Sequence, residues 1–245
     1  MATMYMGIIK RLIKRILVQV GIEQRHIAFP IFRFNVYSQN GEDGVIEFIL
    51  KKLPNIPRFI IDIGANDGVE ASNSRLLIEK YDFAGLLIEP YQPVFETLLA
   101  LYKDHPNIRV TDTAVGPETS NDTTITWHNH VENLPMPVVE VNDLFERHHT
   151  PHEIGVLSID IDGGDNEVLR AIDWQKFCPW IVIAEINSSC EQNLQEQIDL
   201  MRLAGYVPFL HIGNVFYARN EIVGELLFNW KIPLKGRFGF FLKND

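Results

Sequence analysis

The chain has 245 residues, of which 46% are hydrophobic and 22% are charged, a composition that supports a full hydrophobic core and excludes a disordered chain. Its formal net charge of −10 at pH 7 argues against a protein that coats nucleic acid phosphates. Two cysteines, Cys178 and Cys190, are too few for a disulfide scaffold and lack metal-site spacing. A reducing cytoplasm is therefore the expected compartment.

The first predicted element is an amphipathic helix over residues 8–20. Its apolar residues recur at helical spacing, and basic residues fill the positions between them: Lys10, Arg11, Lys14 and Arg15. Such a helix either lies in the interface of a membrane, here the inner membrane face, or packs on the domain or on a second copy of the chain as a homo-oligomer. No run reaches the ~20 apolar residues of a spanning helix. Pro30 ends the segment, so we expect an arm over residues 1–35 and one domain over residues 36–245.

From residue 40 onward, helical patterns alternate with short β-rich runs, which is typical of parallel strands joined by crossover helices. The predicted helices cover residues 41–53, 72–80, 91–104, 166–172 and 191–205. The predicted strands cover residues 58–64, 85–90, 108–116, 155–162 and 180–187, with two more within 206–220. These last two flank a turn at residues 212–214 and should pair antiparallel. Residues 117–154 are predicted as an insertion beside the sheet with two strands, 123–130 and 137–145, around a Pro-containing loop, and no strong helix.

These elements predict an α/β fold with a Rossmann-like sheet. The sheet should contain seven mostly parallel strands and end in an antiparallel hairpin, with helices on both faces. This is the fold of class I S-adenosylmethionine (SAM) methyltransferases, whereas an NAD-type Rossmann sheet would not be expected to end in that hairpin.

The stretch IDIGANDG, residues 61–68, leads a predicted strand into a turn with G-x-x-x-G spacing. Gly64 and Gly68 let the backbone turn tightly and approach a ligand, which in such sheets binds at the carboxyl ends of the strands. Asp62 and Asp67 would repel a pyrophosphate but suit a ligand that carries an ammonium and a sulfonium. Glu89 ends the second predicted strand and can accept both hydroxyl protons of a ribose. SAM is therefore the predicted cofactor.

The loop after the third predicted strand is a candidate adenine site. Asp112, Thr113 and Ala114 lie where an adenine ring would bind, and Asp112 could accept a hydrogen bond from the exocyclic amine. A plain solvated loop is the alternative.

Several blocks in order, between about residue 37 and about residue 190, resemble the FkbM family of methyltransferases. These blocks are YSQNGEDGVIEFIL, IIDIGANDGVEASNSRLLIEK, GLLIEP, TAVG, SIDIDGGDNEVLRAI and IVIAEIN. Members of this family are similar in transferring a methyl group from SAM to an oxygen, often a hydroxyl of a sugar or polyketide. The resemblance therefore implies a sugar or glycan acceptor.

The resemblance also implies roles for particular residues. The residues that should line the SAM site are Gly64, Ala65, Asn66, Gly68 and Glu89, with Ser72 and Asn73 near the methionine carboxylate. Those that should fold over the cofactor are Ser38, Gln39, Glu42 and Asp43, for which an ordinary helix cap is the alternative. Where the family commonly shows D-x-E-G-x-E, this chain has aspartates at Asp162 and Asp165. Each of these carboxylates reaches one methylene less far, which puts roles tied to glutamate geometry in doubt.

Methyl transfer to a hydroxyl needs alignment and either a base or a metal that lowers the pKa of the hydroxyl. The candidate catalytic residues are Asp160, Asp162 and His211. The candidate ligands for Mg²⁺ or Mn²⁺ are the oxygen-bearing side chains Asp160, Asp162, Asp165, Glu185 and Asn187. Capping of the following helices is the alternative role for these five.

The predicted function is a cytoplasmic SAM-dependent O-methyltransferase that acts on a hydroxyl of a sugar, a glycan or a related small molecule. Residues 8–20 would attach it peripherally to the inner membrane face. The alternative is a non-catalytic protein of the same fold that binds a glycan or a partner enzyme. An NAD-dependent enzyme is a third reading, and a nucleic acid partner is not expected.

Overall fold

The computed structural model describes residues 24–25, 34–127, 130–161, 163–186 and 191–227. The predicted amphipathic helix over residues 8–20 lies outside these residues, as do Asp162, Asn187 and Cys190. Among the residues that are described, no helix is both long enough and apolar enough to cross a membrane.

Seven helices are described, and five of them were predicted. Their bounds are α1 Glu42–Lys52, α2 Arg75–Tyr81, α3 Gln92–Tyr102, α4 Val141–Arg147, α5 Asp165–Ala171, α6 Glu191–Leu203 and α7 Asn220–Leu227. Periodicity located the predicted five because apolar residues recur at helical spacing, and in α3 they form one buried stripe of Phe95, Leu98 and Tyr102.

The strands of the described residues form three sheets. The first pairs β1 (Gln24–Arg25) with β2 (Phe34–Asn35). The strands of the main sheet are β3 Phe59–Ile63, β4 Ala84–Ile88, β5 Ile108–Thr111, β9 Glu153–Ile159, β10 Cys178–Glu185, β11 Tyr206–His211 and β12 Asn214–Arg219. The third sheet contains β6 Ala114–Gly116, β7 Ser120–Trp127 and β8 His130–Glu140.

The main sheet has seven strands in the order β11-β12-β10-β9-β3-β4-β5. Strand β12 runs antiparallel to both of its neighbours, and the remaining pairs are parallel. The predicted class I methyltransferase fold, including its terminal hairpin, is confirmed. The parallel strands β3, β4, β5, β9, β10 and β11 thus end at one edge of the sheet, here called the carboxyl edge, where ligands bind in such folds.

Helices cover both faces of the main sheet, as predicted. Successive residues of a strand point to opposite faces, so Ile60 packs in one core cluster and Ile61 in the other, both with no exposed surface. The first cluster takes apolar residues of α1, α2, α3 and α7, and the second takes those of α4, α5 and α6. Phe34, within the predicted arm, belongs to the first cluster.

The insertion differs from the prediction at two places. The predicted strand 108–116 is divided into β5 and β6, which belong to different sheets. The predicted strand 137–145 is wrong in its second half, because the seven-residue helix α4 begins at Val141, where no strong helix was expected. The Glu140 side chain caps α4 by accepting the Asp143 N–H at 2.8 Å. The buried face of α4 consists of Val141, Leu144 and Phe145. This helical spacing was overlooked because apolar and polar residues alternate in the preceding sequence, as in a strand.

Candidate active site

The glycine turn after β3 lies directly against the end of β9. Both Gly64 and Ala65 donate their N–H groups to the Ile88 carbonyl, at 3.0 and 3.0 Å. Gly64 has φ +85°, and a Cβ atom there would lie 1.8 Å from the Asp160 carbonyl oxygen. The missing side chain therefore lets the backbone of Asp160 approach the turn.

Gly68 and Asp67 shape the rest of this turn. Gly68 has φ +69°, and a Cβ atom there would lie 2.8 Å from Leu98 and 3.0 Å from Leu101 of α3. The Asp67 carboxylate accepts the N–H groups of Val69 and Glu70 at 2.8 and 2.9 Å. The structure thus places Gly68 against a helix and engages Asp67 with the backbone of its own turn.

Glu89 lies just after β4 and is only 1% exposed. Its two carboxylate oxygens accept the Asn66 N–H at 3.0 Å and the Tyr91 N–H at 2.8 Å. Asn66 adopts the left-handed φ of 52°. These hydrogen bonds hold the carboxylate in one orientation beside the glycine turn.

Asp62 and the start of α2 form a buried polar layer under the turn. Burial raises the pKa of Asp62, while hydrogen bonds from the Ser74 and Ser158 hydroxyls oppose this rise. Asn73 donates to the Ser158 hydroxyl at 3.3 Å, and Ser72 accepts the Arg75 N–H at 3.1 Å. Ser72 and Asn73, which come just before α2, are both buried.

The candidate adenine loop follows β5 at the same carboxyl edge. Asp112 is exposed, and Ala114 is buried at the start of β6. The hydroxyls of Thr111 and Thr113 lie 2.9 Å apart, which fixes the loop that presents Asp112.

Residues 36–43 lie on the carboxyl edge beside the terminal hairpin. One oxygen of the buried Asp43 accepts the N–H groups of Val36, Tyr37 and Ser38 at 2.7, 2.7 and 2.9 Å. The Ser38 hydroxyl accepts the Asp43 N–H at 3.0 Å.

The contact of this segment with the hairpin runs through Asn40. A Cβ atom on Gly213 would lie 2.5 Å from the Asn40 amide nitrogen, so the Asn40 side chain rests on the turn between β11 and β12. The Asn40 N–H donates to the buried Glu42 carboxylate at 2.7 Å, whereas Gln39 is exposed.

The loop after β9 is organised by Asp165. Its carboxylate accepts the N–H groups of Ile161 and Gly163 at 3.1 and 3.2 Å. Burial raises the pKa of Asp165 to about 6, and the nearby Glu185 adds to the rise. Within the described ranges, no three His, Cys, Asp or Glu side chains form a group that could hold a metal ion.

A family model described as the Methyltransferase FkbM domain matches residues 62–208, more than half of the chain. The chain belongs to the FkbM methyltransferase family. The predicted resemblance to this family is thereby confirmed. The family implies SAM as the methyl donor.

Three solved methyltransferase structures are similar to this chain at low identity. The methyltransferase FkbM from Methylobacillus flagellatus KT is 19% identical, with a TM-score of 0.46 over 66% of this chain and 43% of that one. The bifunctional kinase-methyltransferase WbdD is 14% identical, with a TM-score of 0.46 over 74% and 39%. The precorrin-6y C5,15-methyltransferase from Geobacter metallireducens GS-15 is 11% identical, with a TM-score of 0.41 over 71% and 88%.

The match covers less than half the length of the first two of these proteins. Among curated protein sequences, none matches this chain.

The FkbM chain does not bring its two described catalytic candidates together. Asp160 follows β9 and contacts the glycine turn through its carbonyl. His211 ends β11, and strands β12 and β10 lie between β11 and β9, which separates the two strand ends by roughly 14 Å at the usual strand spacing. Burial lowers the pKa of His211, and a hydrogen bond with the Gly213 backbone opposes this shift.

An open cleft of about 180 Å³ lies beside the Asp160 loop. It is formed by residues 163–167, by Glu185 at the end of β10, by Ile186 after it, and by the N-terminal half of α6. Behind it, the buried Gln197 amide donates to the Glu185 carbonyl at 2.9 Å and to the Asn166 side chain at 3.0 Å. Its oxygen accepts the Tyr217 hydroxyl proton at 2.8 Å.

Sequence reasoning missed Gln197, although a signal was present. Gln197 falls on the same stripe of α6 as Leu194, Ile198 and Met201. A polar residue within an apolar helical stripe is buried and must find hydrogen-bond partners.

Proposed function

We propose that this FkbM methyltransferase is a SAM-dependent O-methyltransferase that methylates a hydroxyl of a sugar, a glycan or a related small molecule. The observation that carries the proposal is the position of Asp160. Its backbone contacts the glycine turn at Gly64, and the loop that it begins forms one wall of the polar cleft. The loop that follows β9 thus joins the cofactor turn to a candidate site for a polar acceptor.

The residues of the turn fit SAM in their chemistry. A carboxylate offers about four acceptor positions, and the Asn66 and Tyr91 amides fix how those of Glu89 are directed. An oriented acceptor of this kind suits the two hydroxyls of a ribose. Burial raises the pKa of Asp62, and a ligand that carries an ammonium and a sulfonium would favour its ionised form. SAM, when bound, would supply an electrophilic methyl group.

Asp160 is the described candidate best placed to accept the proton of the attacking hydroxyl. A half-exposed carboxylate at this position can take that proton as the new oxygen–carbon bond forms. His211 would be neutral at pH 7, because burial lowers its pKa, but it lies too far along the edge to share this role. Asp162, outside the described residues, remains a candidate.

A divalent metal is a second way to activate the hydroxyl. The described carboxylates Asp160, Asp165 and Glu185 do not by themselves form a group that could hold a metal ion, so the proposed Mg²⁺ or Mn²⁺ site would also need Asp162 and Asn187. Addition of a chelator followed by Mg²⁺ tests this part of the proposal, because a metal-dependent enzyme would lose activity and then regain it. A cytoplasmic location, with residues 8–20 binding the inner membrane face or a second copy of the chain, completes the proposal.

The test begins with calorimetric titration of SAM and of its demethylated product into the purified chain, with NAD as the control ligand. Binding of SAM without binding of NAD is expected. Labelled SAM is then used to follow methyl transfer to a panel of monosaccharides. Binding of SAM without transfer to any acceptor would favour the non-catalytic alternative.

Substitution of the proposed base separates catalysis from binding. Asp160→Asn should lower kcat by about 10²- to 10⁴-fold, the usual effect of losing a general base, while SAM affinity stays unchanged. The control is Asp104→Asn, an exposed position between α3 and β5 at the opposite edge of the sheet. Undiminished turnover in Asp160→Asn would exclude Asp160 as the base.

A further inference from the structure

The cleft beside the Asp160 loop is small and open to solvent. Its volume of about 180 Å³ is below the roughly 300 Å³ at which pockets for drug-sized ligands begin. Such a cleft can hold one ring-sized group but not a whole nucleotide sugar. It lies where the loops after β9 and β10 meet, and Asp160 begins the first of these loops.

The cleft is lined by carboxylates and amides. Asp165, Glu167, Glu185 and Glu196 supply the acidic groups, and Asn166 and Gln197 are among the amides. No Lys, Arg or His is among the described residues that line it. Arg170 pairs with Glu196 from outside the lining and offsets part of this charge. The cleft is therefore expected to hold a negative potential, which attracts cations and repels anions.

The base of the cleft is held in a fixed shape. The Gln197 amide connects the end of β10, the first turn of α5 and β12 through its bonds to Glu185, Asn166 and Tyr217. All three bonds are 3.0 Å or shorter, and Gln197 is 1% exposed. A polar cleft whose supporting hydrogen bonds are already made can bind hydroxyl groups without further ordering of the protein.

We infer that this cleft binds the acceptor's sugar ring and selects rings that are neutral or carry an amine over rings that carry a carboxylate or phosphate. The inference rests on the proposed function and adds the charge class of its acceptor. Amides and carboxylates offer acceptors for the hydroxyls of a sugar and for an ammonium group. An anionic ring would face the same carboxylates, with no Lys, Arg or His among the described lining residues to attract it.

The experiment compares three matched probes on the full chain with SAM present: methyl glucoside, methyl glucosaminide and methyl glucuronide. Binding is followed by ligand-observed NMR, and transfer is followed with labelled SAM. We expect the glucoside and the glucosaminide to bind at least about tenfold more tightly than the glucuronide. Equal binding of the three probes, or binding of none while SAM binds, would overturn the inference.

A charge reversal at the exposed Glu167 tests whether the cleft itself makes the selection. Glu167→Lys should improve glucuronide binding relative to glucoside binding by about tenfold. The matched control is Glu225→Lys on α7, which is also exposed and lies outside the cleft lining. The same improvement in both variants would show an effect of net charge alone and would overturn the inference.

The experiments distinguish failure of the proposed function from failure of the charge selection. If SAM itself does not bind, the proposed function fails and the inference falls with it. If SAM binds and glucuronide is methylated as readily as glucoside, only the charge selection is wrong.

Discussion

Glu89 is the side chain that we expect to orient the cofactor. Its carboxylate is almost completely buried, and backbone amides bond to both of its oxygens. Glu89→Gln keeps the shape but replaces one acceptor oxygen with an NH₂ group that cannot accept a hydrogen bond. We expect the dissociation constant of SAM to rise at least about tenfold, which corresponds to roughly 1.4 kcal/mol.

Calorimetric titration measures this change. Glu96→Gln, at an exposed position of α3, is the matched control and should bind SAM like the unmodified chain. Unchanged affinity in Glu89→Gln would contradict a role in cofactor binding.

Asp165 gives a prediction for pH dependence. Burial raises its pKa to about 6 from the ordinary 3.8, so between these values the folded chain binds more protons than the unfolded chain. The Asp165 contribution to the free energy of unfolding therefore falls as the pH rises from about 4 to 6, by up to roughly 3 kcal/mol, and then levels off. Asp165→Asn should lack this contribution.

Urea unfolding between pH 4 and 8, with a chelator present, tests this expectation. As the pH rises to 6, the free energy of unfolding of Asp165→Asn should increase relative to that of the unmodified chain. A difference that stays constant across this range would contradict the raised pKa.

Adding a methyl group should have opposite effects on the free energy of unfolding at two glycines, one in the turn after β3 and one in α7. At Gly64 the backbone has φ +85°, and a Cβ atom would collide with the Asp160 carbonyl. Gly64→Ala should therefore lower the free energy of unfolding by at least about 3 kcal/mol. At Gly224 in α7 no atom lies within 4 Å, so Gly224→Ala should raise it by about 0.5 to 1 kcal/mol. Denaturant titration measures both, and equal effects would contradict the close contact at Gly64.

The helices and strands that were predicted correctly can each be recognised from a local pattern of apolar residues. Strands β3, β4, β9 and β10 are short apolar runs buried on both faces, and α1, α3 and α6 repeat apolar residues at helical spacing. Helix α4 was missed because the strand-like alternation of β8 continues into it, and its start depends on the side chain of Glu140. The hydrogen bond from the Asp143 N–H to the Glu140 side chain favours the start of a helix at a point where the sequence alternation alone predicts a strand.

At the scale of the whole molecule, the contact of Asn40 with Gly213 joins the segment before α1 to the terminal hairpin. Gly213 has φ +114°, and a Cβ atom there would lie 2.5 Å from the Asn40 amide nitrogen. Gly213→Ala should push this segment off the hairpin and speed hydrogen exchange in residues 36–41, with little change in β3 or β4.

Gly205→Ala is the matched control for backbone strain. It has φ +88° but only a distant neighbour, the Asn220 side chain at 3.9 Å. Exchange measured by mass spectrometry should leave residues 36–41 unchanged in this control. Faster exchange there in both variants would show that strain, rather than the lost contact, is the cause.

The sequence by itself determined the fold class, the order of most elements, the family and the glycine turn with Glu89 as its acidic partner. These features depend on local periodicity and on residue types at fixed spacing, which can be read along one chain. Only the tertiary structure decided that Gly64 gives room to Asp160, that Gly68 faces α3, and that Asp160 and His211 lie three strands apart. It also revealed the cleft and the Gln197 bonds behind it. The physical reason is that these relations join residues far apart in the chain, and their positions follow from strand order and packing rather than from any local pattern.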